Sequence, residues 1–349
     1  MPSLTSVIIK RSMSLRDVVG HRRLTALISR AIDRESLPPT LLFAGPSGVG
    51  KWRVAVAAAQ AVNCLEPIRN TDGLPFDACG RCRSCDRIAR GVHVDVIALE
   101  PDERASIKID VVRDVLSRTG YRPFEGKRRV VLIREADTLE GAAQNSLLKN
   151  LEEPPPGTVF ILTSAVPGAL LPTVRSRCMR LRFGTLTASE VALALVRDHG
   201  QSEREAHEAA PLSDGSIGQA LALSDLDIGS LRTLAMRLLQ QTSGRADTQS
   251  RLQAATAIVA GLSKKEERAD LAAVLRLTAS MLRDIEALNS GADQRVLANP
   301  LMTDDLSTLA RAFAGDRARA AFGAVDRALT ALERNAGTKV VAEWLAVQL

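Results

Sequence analysis

The sequence predicts an α/β region with a parallel sheet and crossover helices, followed by a region made only of helices. The chain has 349 residues, of which 46% are hydrophobic, enough for two or three domains with their own cores. Short apolar runs alternate with helical stretches up to about residue 181, which is typical of strands joined by crossover helices. Thirteen of the 15 prolines lie in the first 172 residues and all five cysteines occur by residue 178. The composition therefore changes where the helical region begins.

The α/β region contains four predicted strands and three predicted helices. The strands are residues 41–44, 94–99, 129–133 and 159–163, and the helices are 52–62, 111–117 and 142–152. Asp110 is predicted as the N-cap of the second helix. The third helix is predicted to end before prolines 154–156, because proline cannot continue a helix.

Helices alone are predicted beyond residue 187. Three short ones are residues 188–198, 203–210 and 215–223. From about residue 230, apolar residues recur at helical spacing, which favours helix–helix cores over a cofactor or membrane role. Two such faces are Leu231, Leu234, Leu238 and Leu239, and Leu271, Val274, Leu275, Leu277 and Leu282.

Charge and hydropathy limit the classes of function. The net charge of +6 allows contact with nucleic acid or an acidic partner, but only ten residues are aromatic, which disfavours a base-stacking platform. No run approaches 18 apolar residues, and no hydrophobic signal core follows Lys10 and Arg11. We therefore expect a cytoplasmic protein without a transmembrane helix.

A glycine loop between a predicted strand and a predicted helix indicates a phosphate-binding P-loop. Its glycines allow backbone N–H groups to surround phosphate oxygens, and the following helix adds a positive partial charge at its N-terminus. The lysine at the end of the loop supplies a charge for the outer phosphates. The candidate nucleotide-binding residues are Gly45, Pro46, Ser47, Gly48, Val49, Gly50, Lys51 and Trp52.

The residues that should hold Mg²⁺ in this site are missing. The motif requires Ser or Thr after the lysine, and Trp52 offers no oxygen ligand. An Asp is expected after strand 129–133, and Arg134 occupies that position. Glu135 follows at the position of a water-activating glutamate, whereas Asp137 lies too far along to replace the lost ligand without a shift. We expect a site that has lost hydrolysis, or that binds ATP or ADP without hydrolysing it.

Four cysteines have the spacing of a metal site. Cys79, Cys82 and Cys85 lie within seven residues, and Cys64 precedes Cys79 with 14 residues between them. Four thiolates suit tetrahedral, structural Zn²⁺, whereas an iron–sulfur cluster and uncoordinated thiols are the alternatives. Gly80 permits the tight turn between ligands. Cys178 is distant and is predicted to be a small buried residue.

Arg177 lies near the end of the α/β region, in the segment LPTVRSRC at residues 171–178. An arginine at a domain edge can complete a neighbour's active site by meeting the charge of a γ-phosphate. Taken alone, an arginine at such a position is more often a solvated surface residue.

Several of these segments together resemble the AAA+ clamp-loader subunits of bacterial DNA polymerase III, which include gamma/tau and delta-prime. The resemblance rests on the P-loop with its four-cysteine module, NSLLKNLEEPP at residues 145–155 and Ser-Arg-Cys at 176–178. The segment VVGH at 18–21 resembles the family's N-terminal nucleotide-side motif, and residues 334–345 resemble its last collar helix. The similarity covers nearly the whole chain and is strongest from 17 to 182.

The departures from the family pattern favour a subunit without motor activity. Trp52 and Arg134 replace the Mg²⁺ ligands, and Gly218 occupies the place of the family's sensor arginine, whereas Arg177 is retained. This combination resembles delta-prime, which donates a trans-acting arginine finger to a neighbouring ATPase subunit. The resemblance therefore implies this role for Arg177.

The resemblance also implies an architecture and a set of partners. The expected domains are an AAA+ domain at 1–183 with a zinc module at 64–85, a small helical lid at 184–229, and an all-α collar at 230–349. The expected partners are the delta and gamma/tau subunits in a hetero-pentamer, the sliding clamp and primed DNA, within the replisome.

Two other functions stay open on the sequence. The chain could be an active gamma/tau-type ATPase that uses Glu135 and a shifted Asp137 for the metal. It could instead be a zinc-dependent nucleic-acid-binding module outside replication. ATP hydrolysis by this chain distinguishes the first, and loss of DNA binding on zinc removal distinguishes the second.

Overall fold

The computed structural model describes residues 14–69, 75–102, 104–224, 226–244, 248–264, 267–293, 297–299, 302–333 and 336–349. These residues divide into two compact units. One consists of those up to residue 194 together with 215–218, and the other of 195–214 together with those from 219 onward. The three-domain division, with boundaries after residues 183 and 229, stays a prediction.

The first unit is built on a five-stranded sheet in the order β4–β5–β6–β1–β7, and every neighbouring pair is parallel. A separate antiparallel pair, β2 and β3, lies between two of the cysteines. The strands of the described residues are β1 (Thr40–Ala44), β2 (Ile68–Arg69), β3 (Pro75–Asp77), β4 (Val96–Leu99), β5 (Arg129–Ile133), β6 (Thr158–Ser164) and β7 (Met179–Arg182).

Helices connect the parallel strands and then form the whole of the second unit. Those of the first part are α1 (Arg22–Asp33), α2 (Lys51–Asn63), α3 (Arg83–Ala89), α4 (Ile109–Thr119), α5 (Gly141–Glu152) and α6 (Pro172–Arg175). Those that follow are α7 (Ala188–His199), α8 (Glu203–Ala209), α9 (Ile217–Ser224), α10 (Ile228–Thr242), α11 (Thr248–Gly261), α12 (Glu267–Asn289), α13 (Thr303–Ala310), α14 (Asp316–Glu333) and α15 (Thr338–Gln348).

Helices cover both faces of the sheet, which explains why its central strands are continuously apolar. Successive residues of β1 alternate between two cores: Leu41 and Phe43 pack with α1 and α2, whereas Leu42 and Ala44 pack with α4 and α5. β5 and β6 alternate in the same way. The predicted α/β region with crossover helices is therefore confirmed, and β1 delivers the glycine loop at its carboxyl end.

The local structure departs from the sequence predictions at several points. Lys108, not Asp110, is the N-cap of α4, and Asp110 lies in the first turn, where its charge favours the positive end of the helix. The fifth strand of the sheet, β7, was missed because Leu181 is the one buried residue among its four and two of the others are arginines. Helix α9 begins at Ile217 rather than at residue 215, since Gly215 has a left-handed backbone angle of 74°.

A buried ion pair fixes the segment after α4. The fully buried carboxylate of Asp95 accepts backbone N–H groups from residues 124–126 at 2.8–2.9 Å and Nη2 of Arg129 at 3.0 Å. Nη1 of Arg129 donates to the carbonyl of Tyr121 at 2.7 Å. Burial by itself raises the pKa of Asp95, but these donors hold it below its ordinary value.

The second unit is a bundle in which α12 packs against α10, α13 and α14, and α15 packs against α11 and α14. The leucine stripes predicted as helix–helix core lie in α10 and α12, where most of their members are buried. Among the helices of the described residues, none combines the length and the apolar character needed to cross a membrane.

Candidate functional site

The glycine loop, residues 45–51, joins the end of β1 to the start of α2 at Lys51. Gly48 and Gly50 adopt left-handed backbone angles, with φ of 72° and 100°, which favour glycine. Gly50 is the N-cap of α2, so the first-turn N–H groups of the helix, which lack helical acceptors, open beside the loop. The order of strand, loop and helix is that of a phosphate-binding loop.

Lys51 turns its ammonium group back onto this loop. Its Nζ donates to the carbonyl oxygens of Gly45 at 2.6 Å and Pro46 at 2.5 Å, and the residue is only 7% exposed. Burial lowers the pKa of Lys51, against the opposing effect of the Asp137 and Glu135 charges. Two of the three N–H groups of the ammonium are thus engaged by the loop, and one is left for a phosphate oxygen.

The segment 215–218 covers the middle of the loop. Ser216 Oγ donates to the carbonyl of Ser47 at 3.0 Å, and the N–H of Gly218 donates to the carbonyl of Gly48 at 3.2 Å. A Cβ at Gly48 would lie 2.2 Å from Ser216 Oγ, so only glycine allows this approach. The segment around Gly218, where the sequence resemblance predicts a sensor position, therefore contacts the loop through backbone and hydroxyl groups.

His21 completes the contacts of the loop. Its Nε2 donates to the carbonyl of Val49 at 2.8 Å, and its ring lies edge-on to Phe183 with centroids 4.8 Å apart. Together with Lys51 and segment 215–218, His21 gives each of the five carbonyls from residue 45 to residue 49 a hydrogen-bond donor.

The two residues that replace the expected magnesium ligands contact each other. The guanidinium carbon of Arg134 lies 5.8 Å from the ring centroid of Trp52, within the range of a cation–π contact. Arg134 also pairs with Glu100 at 3.1 Å and with Glu135 at 3.7 Å. The two positions at which the sequence motifs predict metal ligands are thus joined by a cation–π contact.

The acidic residues after β5 are engaged with β6. Glu135 has a left-handed φ of 49°, and its N–H donates to Thr163 Oγ1 at 3.1 Å. Asp137 Oδ1 accepts the N–H of Ala165 at 3.1 Å. Of the two residues at the end of β6, Thr163 therefore makes the contact with Glu135, whereas the hydroxyl of Ser164 is buried and unpaired among the described residues.

The four cysteines converge at the end of α2. Their sulfur atoms all lie within 4.8 Å of one another, with Cys64 Sγ 3.9 Å from Cys82 Sγ and 3.7 Å from Cys85 Sγ. Gly80 makes the turn between Cys79 and Cys82 with a φ of 73°. The described part of the module thus brings together the residues that sequence spacing singled out.

This donor set fits a tetrahedral zinc ion. A Zn–S bond of about 2.3 Å places tetrahedral sulfurs roughly 3.8 Å apart, close to the shorter separations observed. Backbone N–H groups of Cys79 and Cys82 donate to sulfurs at 3.2 and 3.3 Å, which stabilises negative charge there. The hydrogen bond from Cys85 lowers the pKa of Cys64 to about 5.

Arg177 lies two residues beyond α6, on the surface of the first unit. Its Nε and Nη2 donate to Glu152 Oε2 at 3.1 and 2.9 Å, and Nη1 donates to the carbonyl of Thr173 at 3.1 Å. The next residue, Cys178, is buried as predicted, and burial raises its pKa to about 11. Cys178 is therefore a protonated thiol of the core and lies outside the cysteine cluster.

Sequence reasoning missed three of these contacts. His21 and Ser216 each belonged to a segment that had been singled out, but no pattern indicated that they meet the P-loop, because these contacts join distant parts of the chain. The contact of Trp52 with Arg134 was also missed. The sign of this contact in the sequence is that Trp52 and Arg134 both replace residues expected to bind the same metal ion.

The family model and the sequence relatives of this chain are all subunits of DNA polymerase III. Residues 20–187 match the family model described as DNA polymerase III, delta subunit. The chain is 38% identical to the delta-prime subunit of Pseudomonas aeruginosa over 156 residues, 44% of this chain and 46% of that protein. It is 32% identical to the tau subunit of Salmonella typhimurium over 227 residues, 63% of this chain and 34% of that protein. The chain thus spans less than half the length of these relatives.

Among solved structures, a gamma subunit-related protein of DNA polymerase III from Thermotoga maritima aligns with a TM-score of 0.49 at 15% identity, covering 92% of this chain and 97% of that one. The segment 334–345, which resembles the family's last collar helix, begins outside the described residues. The family model and the sequence relatives thus support membership of the clamp-loader family of DNA polymerase III subunits, with the match to the model lying in residues 20–187.

Proposed function

We propose that this chain is the non-motor, delta-prime-type subunit of a DNA polymerase III clamp loader, which helps to place the sliding clamp on primed DNA. The observation that carries this choice is the contact between Trp52 and Arg134. A magnesium ion at this point would lose two ligands and meet a guanidinium charge. One unit charge at about 4 Å is worth roughly 4 kcal/mol at an effective dielectric of about 20.

The glycine loop itself could still hold a nucleotide. Lys51, Ser216 and Gly218 donate to carbonyls of the loop, which leaves its N–H groups for phosphate oxygens. Any ATP or ADP that binds here would do so without the metal that hydrolysis needs. The loop is proposed as an inherited nucleotide site that now serves mainly to join β1, α1 and α2.

Arg177 is the residue proposed to act in the neighbour's chemistry. Its guanidinium lies at the surface of the α/β unit, where it can approach the γ-phosphate of ATP bound to an adjacent gamma/tau subunit. There it would stabilise the charge that builds on the phosphoryl oxygens during transfer. This chain would thus contribute to hydrolysis without hydrolysing ATP.

The cysteine cluster is proposed as a structural zinc site held by Cys64, Cys79, Cys82 and Cys85. A site closed by four thiolates has no open position for water, so the ion would stabilise the module rather than act as a Lewis acid. The proposed partners are the delta and gamma/tau subunits, the clamp and primed DNA, in the cytoplasmic replisome. Direct contact with DNA predicts a salt-dependent contribution of this chain to primer-template binding by the assembled loader.

The decisive test is ATP turnover by the purified chain in the presence of Mg²⁺, with Lys51→Ala as the control. We expect no turnover above that of the control, because the Mg²⁺ ligands are absent. Turnover that depends on Lys51 would refute the non-motor assignment and identify the chain as a motor subunit.

An active gamma/tau-type ATPase is the second candidate, and the tau relatives favour it. In that case Glu135 would activate water and Asp137 would shift to reach the metal. The hydrogen bond from the N–H of Ala165 to Asp137 opposes this shift, since it would have to break first.

A further inference from the structure

Arg177 is held unusually well for a surface arginine. Both Nε and Nη2 donate to a single oxygen, Oε2 of Glu152, and Nη1 donates to the carbonyl of Thr173. Its backbone is fixed as well, because Thr40 Oγ1 donates to the carbonyl of Arg177 at 2.6 Å. The guanidinium is therefore anchored at three nitrogens and its main chain is tied to the start of β1.

The position of Glu152 points to a role beyond helix stability. Glu152 is the last residue of α5, where the negative end of the helix dipole disfavours a carboxylate. The Glu152 side chain is 59% exposed and that of Arg177 is 31% exposed. An ion pair at this exposure stabilises a fold only weakly, so its main effect is on where the arginine lies.

The bonds to Glu152 leave the outer end of the guanidinium available. Arginine has five N–H groups, of which three are used in the contacts described here. One N–H on Nη1 and one on Nη2 remain, which is the number that a bidentate contact with two phosphate oxygens uses. Because Glu152 binds the Nε side of the guanidinium, the edge formed by Nη1 and Nη2 stays available for a phosphate.

We propose that Glu152 is a positioning residue for Arg177: it holds the guanidinium ready to meet the γ-phosphate bound by the adjacent subunit. This inference rests on the proposed function, since it requires Arg177 to act in trans. An unrestrained arginine would lose rotamer freedom each time it reached the phosphate, and the ion pair removes part of that cost in advance.

The experiment is ATP hydrolysis by the loader reconstituted from this chain and its own delta and gamma/tau subunits, with clamp and primed DNA. The turnover that Arg177→Ala removes defines the finger-dependent rate. We expect Glu152→Ala to lower the finger-dependent kcat about two- to fivefold, which is the range expected from an exposed ion pair. The KM for ATP should be unchanged. Glu152→Gln, which keeps an acceptor oxygen, should restore part of the loss.

Two controls separate positioning from a structural effect. Glu153→Ala removes a carboxylate one residue along the chain and should leave the finger-dependent rate as it is. In the Arg177→Ala background, Glu152→Ala should have no further effect. Assembly of the loader, measured by sedimentation, should be equal for all variants.

The possible failures are distinguishable. If Arg177→Ala leaves turnover unchanged, the trans-acting role of Arg177 is wrong and the role of Glu152 is overturned with it. If Arg177→Ala lowers turnover but Glu152→Ala leaves kcat unchanged or raises it, only the positioning role is overturned. An equal loss with Glu153→Ala, or a loss that persists without Arg177, would also overturn it.

Discussion

Replacing the stacked pair by the residues that normally hold a metal should restore a magnesium-dependent nucleotide site. The perturbation is the double variant Trp52→Thr with Arg134→Asp. The threonine supplies a hydroxyl at the start of α2, and the aspartate supplies a carboxylate at the end of β5. Both replacements are smaller than the native side chains, so neither needs new space.

The size of the effect follows from the spacing of the two positions. Arg134 Cζ lies 5.8 Å from the Trp52 ring centroid, so a metal between them would lie within that distance of the Arg134 guanidinium. One unit charge at about 6 Å is worth about 3 kcal/mol at an effective dielectric of about 20. The substitution reverses the sign of this charge, and the partial exposure of Arg134 reduces its effect through screening. An energy of about 3 kcal/mol corresponds to roughly a hundredfold in affinity.

The assay is binding of a fluorescent ATP analogue at matched ionic strength, with either Mg²⁺ or a chelator present. We expect the double variant to bind at least about a hundredfold more tightly with Mg²⁺ than without it, and the native chain to show no such preference. Each single variant should show a smaller preference, because each restores only one ligand. The reasoning is refuted if the native chain already binds nucleotide in a magnesium-dependent manner, or if the double variant gains no preference.

Three further predictions concern metal, backbone and pH. Metal analysis of the purified protein should find one zinc per chain. Cys64→Ser should abolish this zinc, whereas Cys178→Ser should keep it. Equal zinc contents in the two variants would contradict the proposed site. Gly48→Ala should lower the unfolding free energy by more than Gly50→Ala in urea titrations, because a Cβ at Gly48 would lie 2.2 Å from a hydroxyl oxygen whereas one at Gly50 meets nothing within 4 Å; similar losses would refute the packing argument. The stabilisation from Asp95 should be complete above its unfolded pKa of about 4 and should be lost as pH falls through its lower native pKa. Asp95→Asn should therefore flatten the acid side of the curve of unfolding free energy against pH, and an unchanged acid side would refute the argument.

The elements that sequence predicted well are those with strong local signals. The three long apolar strands of the sheet centre were found because both of their faces are buried, and α2 was found because alanine favours helix. The cysteine cluster was also found, because its ligands lie close together along the chain. In each case the information lies within a few residues of the position it determines.

Contacts between distant segments were not predictable in the same way. Nothing near Glu152 in the sequence shows that it meets Arg177, and nothing near His21 shows that it donates to the carbonyl of Val49. These pairs are separated by 25 and 28 residues. They depend on the order of strands in the sheet, which brings loops from different crossovers to the same edge. The edge strand β7 was missed for a related reason, since its place in the sheet comes from pairing with β1 and its own residues are mostly exposed.

The donors to the five carbonyls of residues 45–49 hold the glycine loop in one form without blocking a ligand. Lys51, Ser216, Gly218 and His21 donate to carbonyls, whereas a phosphate would accept from backbone N–H groups, so the two sets of hydrogen bonds do not compete. On the proposed function, the loop would therefore keep the same form while nucleotide levels change, and the chain would give the moving parts of the assembly a constant surface to work against.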